Sequence, residues 1–180
     1  VDSWIDFHLL NTLSFNVDAL WLSTYFHKPR NGKIHCGPIW DFDRSMDSRD
    51  DPRDDNPFRW WNYVENLGCN YFGFTGEVWW SRLFQDSDFW QKYIDRYQVL
   101  RCGAFSTENF CQLIDKLSGQ VKEAQPREFE RWGNFTAPRN NSYDFEIQHM
   151  KEWISNRVAF LDSNFLRPPV LSTNGGVVSA

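Results

Sequence analysis

Apolar and polar positions follow more than one rhythm along this chain. Trp4, Ile5, Leu9, Leu10 and Leu13 recur at helical spacing, which predicts a helix over residues 2–13 with Asp2 or Ser3 as its N-cap. A polar break follows from Asn11 to Asp18. Two runs with strand character come next, Leu22 to Lys28 and Lys33 to Phe42. They flank Pro29-Arg30-Asn31-Gly32, a hairpin signal because Asn-Gly accepts the backbone of a tight turn. Residues 44–58 are crowded with Asp, Arg and Pro and read as an exposed, solvated loop. That loop lacks the ordered ligand ladder of a calcium site.

The second half is helical. Phe89, Trp90, Tyr93, Ile94, Tyr97 and Leu100 form one apolar face. Ser106 and Thr107 can cap a second helix that carries Phe110, Leu113, Ile114, Leu117 and Val121. Pro126 fits the first turn of a short helix ending near Trp132. Met150, Trp153, Ile154, Val158, Leu161 and Phe165 mark a last helix. These stripes read as core. The fold class expected is α+β, mainly α: a β-hairpin followed by a helical bundle over residues 1–166, with residues 167–180 a linker to a following domain.

Composition narrows the function classes. The 180 residues are 18% aromatic, enough for a sizeable core and unlike a disordered chain. The net charge of −5 gives no overall basic field for nucleic acid or anionic lipid. A mean hydropathy of −0.60, with no apolar run of about 18 residues, gives no membrane span. Cys36, Cys69, Cys102 and Cys111 form no Cys-x-x-Cys. They permit two disulfides, Cys102 with Cys111 closing a short loop, or four free thiols.

The chemistry concentrates between Asn16 and Asp43. A strand ending in Trp40-Asp41-Phe42-Asp43 would turn Asp41 and Asp43 to the same side, packed against Ile39, Trp40 and Phe42. Two hard oxygen ligands beside a phosphate suit magnesium or manganese. The hairpin turn lies midway between Asp18 and Asp41, so folding the ribbon back returns Asp18 to the neighbourhood of Asp41. A carboxylate there can orient or deprotonate a hydroxyl nucleophile.

Other features carry competing readings. His27 and His35 fall close to a cross-strand pair, a plain hairpin contact or half of a transition-metal site. Asn134 and Asn140 begin glycosylation-type triplets. Trp60-Trp61, Tyr71-Phe72, Phe74 and Trp79-Trp80 form an aromatic-dense stretch, either ordinary core or a surface for a polysaccharide or cell-surface scaffold.

The segment Val1–Asp43 resembles the CotH kinase family, the atypical protein kinases similar to spore coat protein H. The matching residues are Asp2-Ser3-Trp4-Ile5-Asp6, Asn11, Asn16-Val17-Asp18, Tyr25-Phe26, Gly32-Lys33 and Gly37-Pro38-Ile39-Trp40-Asp41-Phe42-Asp43. Further along, Trp79-Trp80-Ser81-Arg82-Leu83-Phe84, Asp88-Phe89, Glu130-Arg131-Trp132 and Lys151-Glu152-Trp153-Ile154-Ser155-Asn156-Arg157 fit the family's helical part. The resemblance implies the C-terminal, large lobe of a kinase-like fold that transfers the γ-phosphoryl of ATP to Ser or Thr of a protein substrate, with magnesium or manganese. It implies Asp18 as the catalytic carboxylate and Asp41, Asp43 and Ser23 as the metal ligands, with Asn16 and Trp40 supporting them. Ser23 stands where many kinases place a metal-binding Asn. A Gly-rich phosphate loop and a strand Lys paired to a helix Glu are expected upstream of Val1, so the fragment alone is expected to be inactive. A pseudokinase is the alternative. A secreted, multidomain bacterial protein at the cell surface is the expected setting.

Overall fold

A computed structural model of the chain describes residues 1–20, 22–49, 51–60, 80–133, 138–165, 172–174 and 177–179. Helix α1 (Asp2–Ser14) starts at Val1 without a side-chain cap, in place of the expected Asp2 or Ser3 N-cap. It is central, and it buries polar His8, Asn11 and Thr12 alongside Ile5, Leu9 and Leu13. Each of them makes a hydrogen bond inside. His8 Nδ1 hydrogen-bonds Tyr93 Oη at 2.8 Å, and Asn11 Nδ2 donates to the Phe7 carbonyl at 2.8 Å. The helix ends at Phe15, left-handed at φ 53 and fully buried. A non-glycine residue there is costly on its own. The Arg157 guanidinium lies over the Phe15 ring, 4.8 Å from its centroid, so packing holds the residue in place.

The hairpin is much shorter than the sequence predicts. Strands β1 (Phe26–His27) and β2 (His35–Cys36) pair antiparallel, Phe26 with Cys36 and His27 with His35. The ladder stops at Gly37, whose φ of 117 suits only glycine, and Pro38 has no N–H to continue it. Residues 38–43 therefore lie outside any strand. Asp41 and Asp43 therefore do not occupy alternate positions of a strand, and Asp41 is left-handed at φ 63. Nor is this run packed inward: Ile39 is 59% and Trp40 57% exposed.

The helices follow as α2 (Trp80–Phe84), α3 (Ser87–Arg101), α4 (Thr107–Val121), α5 (Gln125–Trp132) and α6 (Tyr143–Phe165). Asp86 caps α3 and Ser106 caps α4 through their side-chain oxygens, and Pro126 sits in the first turn of α5. Helices α3 and α6 pack on α1 and place Tyr93, Tyr97, Ile154 and Leu161 in the core. The α4 stripe becomes core only in part: Phe110 and Ile114 pack against it. Leu113, Leu117 and Val121 are half-exposed and line an open cavity of about 650 Å³ between α1, α4 and α6. Among the described residues no helix is long and apolar enough to cross a membrane.

Strands β3 (Ser172–Asn174) and β4 (Val177–Ser179) pair antiparallel within the stretch read as a linker. Trp60 packs on Phe160 and Phe165, and Trp80 is buried against Trp4 and His8, so these two belong to core rather than to a sugar platform. The rest of that aromatic stretch, residues 61–79, lies outside the described residues, as do Cys69 and Asn134. Cys36, Cys102 and Cys111 are free thiols, which leaves Cys102 and Cys111 unbridged. Burial pushes the Cys36 thiol up to about 12.

Candidate active site

Three segments meet beyond the end of α1: residues 15–20 with 22–24, the run 40–46 and the short 3₁₀ turn Pro52–Asp54. A backbone bond from Val17 N to the Arg44 carbonyl (3.1 Å) joins the first two, and one from Met46 N to the Ser14 carbonyl (3.0 Å) ties the second to the end of α1.

Asn16 links the backbones of the two predicted site residues, Asp18 and Asp41. It is buried; its Oδ1 accepts from the Asp18 N–H at 3.2 Å, and its Nδ2 donates to the Asp41 carbonyl at 3.0 Å. Ser23 adds a second link. Its N–H donates to the Asp18 carbonyl at 3.2 Å and its Oγ to the Asp41 carboxylate at 3.2 Å. Asp18 and Asp41 are thus tied to the same two residues, Asp18 through its backbone and Asp41 through its carbonyl and its carboxylate. This contact, not strand alternation, unites the site. Asp43 is exposed, and so is Trp40, which meets Tyr25 edge-on at 6.4 Å.

Sequence reasoning missed the arginines. Arg44 Nη1 lies 3.6 Å from one Asp18 oxygen and Arg53 Nη2 lies 3.6 Å from the other. Arg53 is itself gripped by Asp51, with Nε at 2.8 and 3.0 Å from the two oxygens and Nη2 closer still. This hydrogen bonding holds the Asp51 carboxyl below the usual range. The loop carrying these groups is not the solvated segment expected. Asp51 and Asp54 are buried, Trp153 Nε1 donates to the Asp54 carbonyl at 3.1 Å, and Arg139 and His149 both bond the Asp47 carboxylate. Burial pushes the Asp54 carboxyl up to about 6. The only sequence signal for this anchoring was Arg157, a charge on an apolar stripe. It is fully buried and donates to the carbonyls of Thr12, Pro57 and Arg59.

The donor set fits a magnesium-type ion beside a phosphate. Such an ion takes one or two carboxylates and completes its shell with water and phosphate oxygens, rather than with an all-protein cage. Asp41 and Ser23 supply neighbouring hard oxygens of that kind. Among the described residues no group of three or more His, Cys, Asp or Glu could hold a metal. His27 and His35 stack face to face, 5.2 Å apart and 14° from parallel, as a hairpin pair.

No curated protein matches the chain, and no solved structure does. The family model described as CotH kinase protein matches residues 1–161, a span that includes every residue of this site. The chain belongs to the CotH kinase family.

Proposed function

We propose that the intact protein transfers the γ-phosphoryl group of ATP to a Ser or Thr hydroxyl of a protein substrate, and that this chain supplies the large lobe. In this reading the nucleotide lobe precedes Val1. The observation that carries the proposal is the tie of Asp18 and Asp41 to one Asn16 and one Ser23. Family membership adds the kinase-like class.

Asp18 orients the acceptor hydroxyl and takes its proton. A new P–O bond forms to that hydroxyl oxygen as the bond to the ADP oxygen breaks. Because the phosphoryl transition state is loose, positioning counts for more than basicity. A carboxylate between two guanidinium groups suits that orienting role. Asp41 holds magnesium or manganese with one carboxylate, and Ser23 fixes the carboxylate's direction. When bound, ATP with its metal supplies the phosphoryl group and the charge neutralisation for its transfer. The test is incubation of the full-length protein with labelled ATP and casein. Transfer that requires magnesium or manganese is expected. Nucleotide binding without transfer would indicate a pseudokinase.

A further inference from the structure

The role given to Asp18 depends on a fixed carboxylate, and its own element does not fix it. Asp18 sits in a turn-rich loop, and its backbone, not its side chain, makes the hydrogen bonds to Asn16 and Ser23. What faces the carboxylate comes from elsewhere. Arg44 approaches Oδ2 and Arg53 approaches Oδ1, each at 3.6 Å. At that length these are electrostatic contacts rather than closed hydrogen bonds. They define a direction only if the guanidinium groups are themselves held.

Arg53 is held. Asp51 accepts from its backbone N–H at 3.0 Å and grips its side chain through Nε and Nη2. A two-oxygen grip on a planar guanidinium fixes its plane as well as its position. The grip sits on the 3₁₀ turn Pro52–Asp54, which Asp51 also caps. That turn is fastened to the helical bundle. The Asp54 carboxylate accepts from Ser48 N–H at 2.9 Å, its carbonyl accepts from Trp153, and the Pro57 carbonyl accepts from Arg157 at 2.9 Å. Arg44 is the more exposed of the two arginines, at 41% against 27%, and solvent screens it more.

We infer that Arg53, locked by Asp51, is a positioning residue for Asp18, and that the 51–54 turn transmits the geometry of the bundle to the catalytic carboxylate. This rests on the reading of Asp18 as the group that orients the acceptor hydroxyl. Asp51 has no direct part in transfer; it acts through Arg53.

The test uses steady-state kinetics of the full-length protein with ATP, magnesium and casein, with thermal unfolding followed on the same samples. Arg53→Gln and Asp51→Asn are each expected to lower kcat by about tenfold per folded molecule with little change in KM for ATP, as for a displaced catalytic group. The double variant is expected to be no slower than the slower single one, because both break the same link. Arg53→Lys is expected not to restore the rate, since an ammonium cannot make the two-oxygen grip. A kcat of Arg53→Gln within about twofold of wild type, beside an inactive Asp18→Ala, overturns the inference and leaves the role of Asp18 standing. So does full activity of Arg53→Lys, or a loss of rate that only follows the folded fraction. Transfer by Asp18→Ala at the wild-type rate, or no transfer by the wild type, overturns the functional reading and this inference together.

Discussion

The side chain of Ser23 donates to the carboxylate of Asp41 across 18 positions of sequence. It does so because the loop after α1 turns back on itself at Ser23, whose N–H and that of Leu22 both bond the Asp18 carbonyl. Ser23 therefore touches both residues, the Asp18 carbonyl through its N–H and the Asp41 carboxylate through its hydroxyl. Ser23→Ala should leave Asp41 free to rotate and raise the magnesium concentration needed for half-maximal transfer by roughly ten- to a hundredfold, the usual cost of losing a group that orients a metal ligand. Ser23→Asn, which offers a ligand oxygen and a donor in the same place, should keep most of the activity. A magnesium titration of initial rate checks both.

Arg157 should matter for stability rather than chemistry. Its guanidinium is buried with the Thr12, Pro57 and Arg59 carbonyls as acceptors, and burial brings it down to about 9, still protonated at neutral pH. Arg157→Ala leaves three buried carbonyls unmet and a void beside Phe15 and Phe160. A loss of about 3 kcal/mol or more is expected from denaturant unfolding. Arg157→Lys should recover only part of it, because one ammonium cannot serve acceptors on both α1 and the 57–59 segment.

The fold should weaken in acid through His8. Burial holds its imidazole down to about 3, against an ordinary value of 6.5, so the folded state resists the proton that the unfolded state accepts. Stability is full above about 6.5 and falls as pH drops from there toward 3, by roughly 4–5 kcal/mol at most. Unfolding midpoints measured between pH 7 and pH 4 check this. His8→Gln should flatten that dependence, whatever its own stability.

Asp54 works in the opposite sense. Its carboxyl is pushed up to about 6 from 3.8, so the folded state carries a penalty above about 6 that disappears as pH falls toward 4. Asp54→Asn should keep the acceptor for the Ser48 N–H and remove the buried charge. The variant should be more stable than wild type at pH 8, by up to roughly 2–3 kcal/mol. Its advantage should vanish near pH 4. Matched thermal scans at the two pH values decide it.

The sequence was informative where the signals were local. The helix over 2–13, the Ser106 cap, Pro126 in a first turn and the pairing of His27 with His35 all follow from spacing of a few residues, and the structure has each of them. The nearness of Asp18 and Asp41 was also legible, because a hairpin between them brings its ends together. The strand expected to align Asp41 and Asp43 does not run through Gly37-Pro38, where the missing N–H and the positive φ end the ladder. The loop 44–58 was misread for a different cause. Asp, Arg and Pro look solvated one at a time, and the partners that bury Asp51 and Asp54 lie in a turn of the same loop and about 100 positions away in α6. Arg53 meeting Asp18 is a tertiary contact with no local signature. The α4 stripe shows the reverse failure: helical spacing predicted a buried face, while the cavity beside it leaves Leu113 and Leu117 half-exposed.

The most direct test of the site is phosphoryl transfer by the full-length protein bearing Asp18→Ala or Asp41→Ala, each compared with wild type at saturating ATP and magnesium. Both carboxylates belong to one centre in this account, so each variant should lose about a hundredfold or more in rate while its unfolding midpoint stays close to wild type. Transfer at the wild-type rate by either well-folded variant would contradict the account.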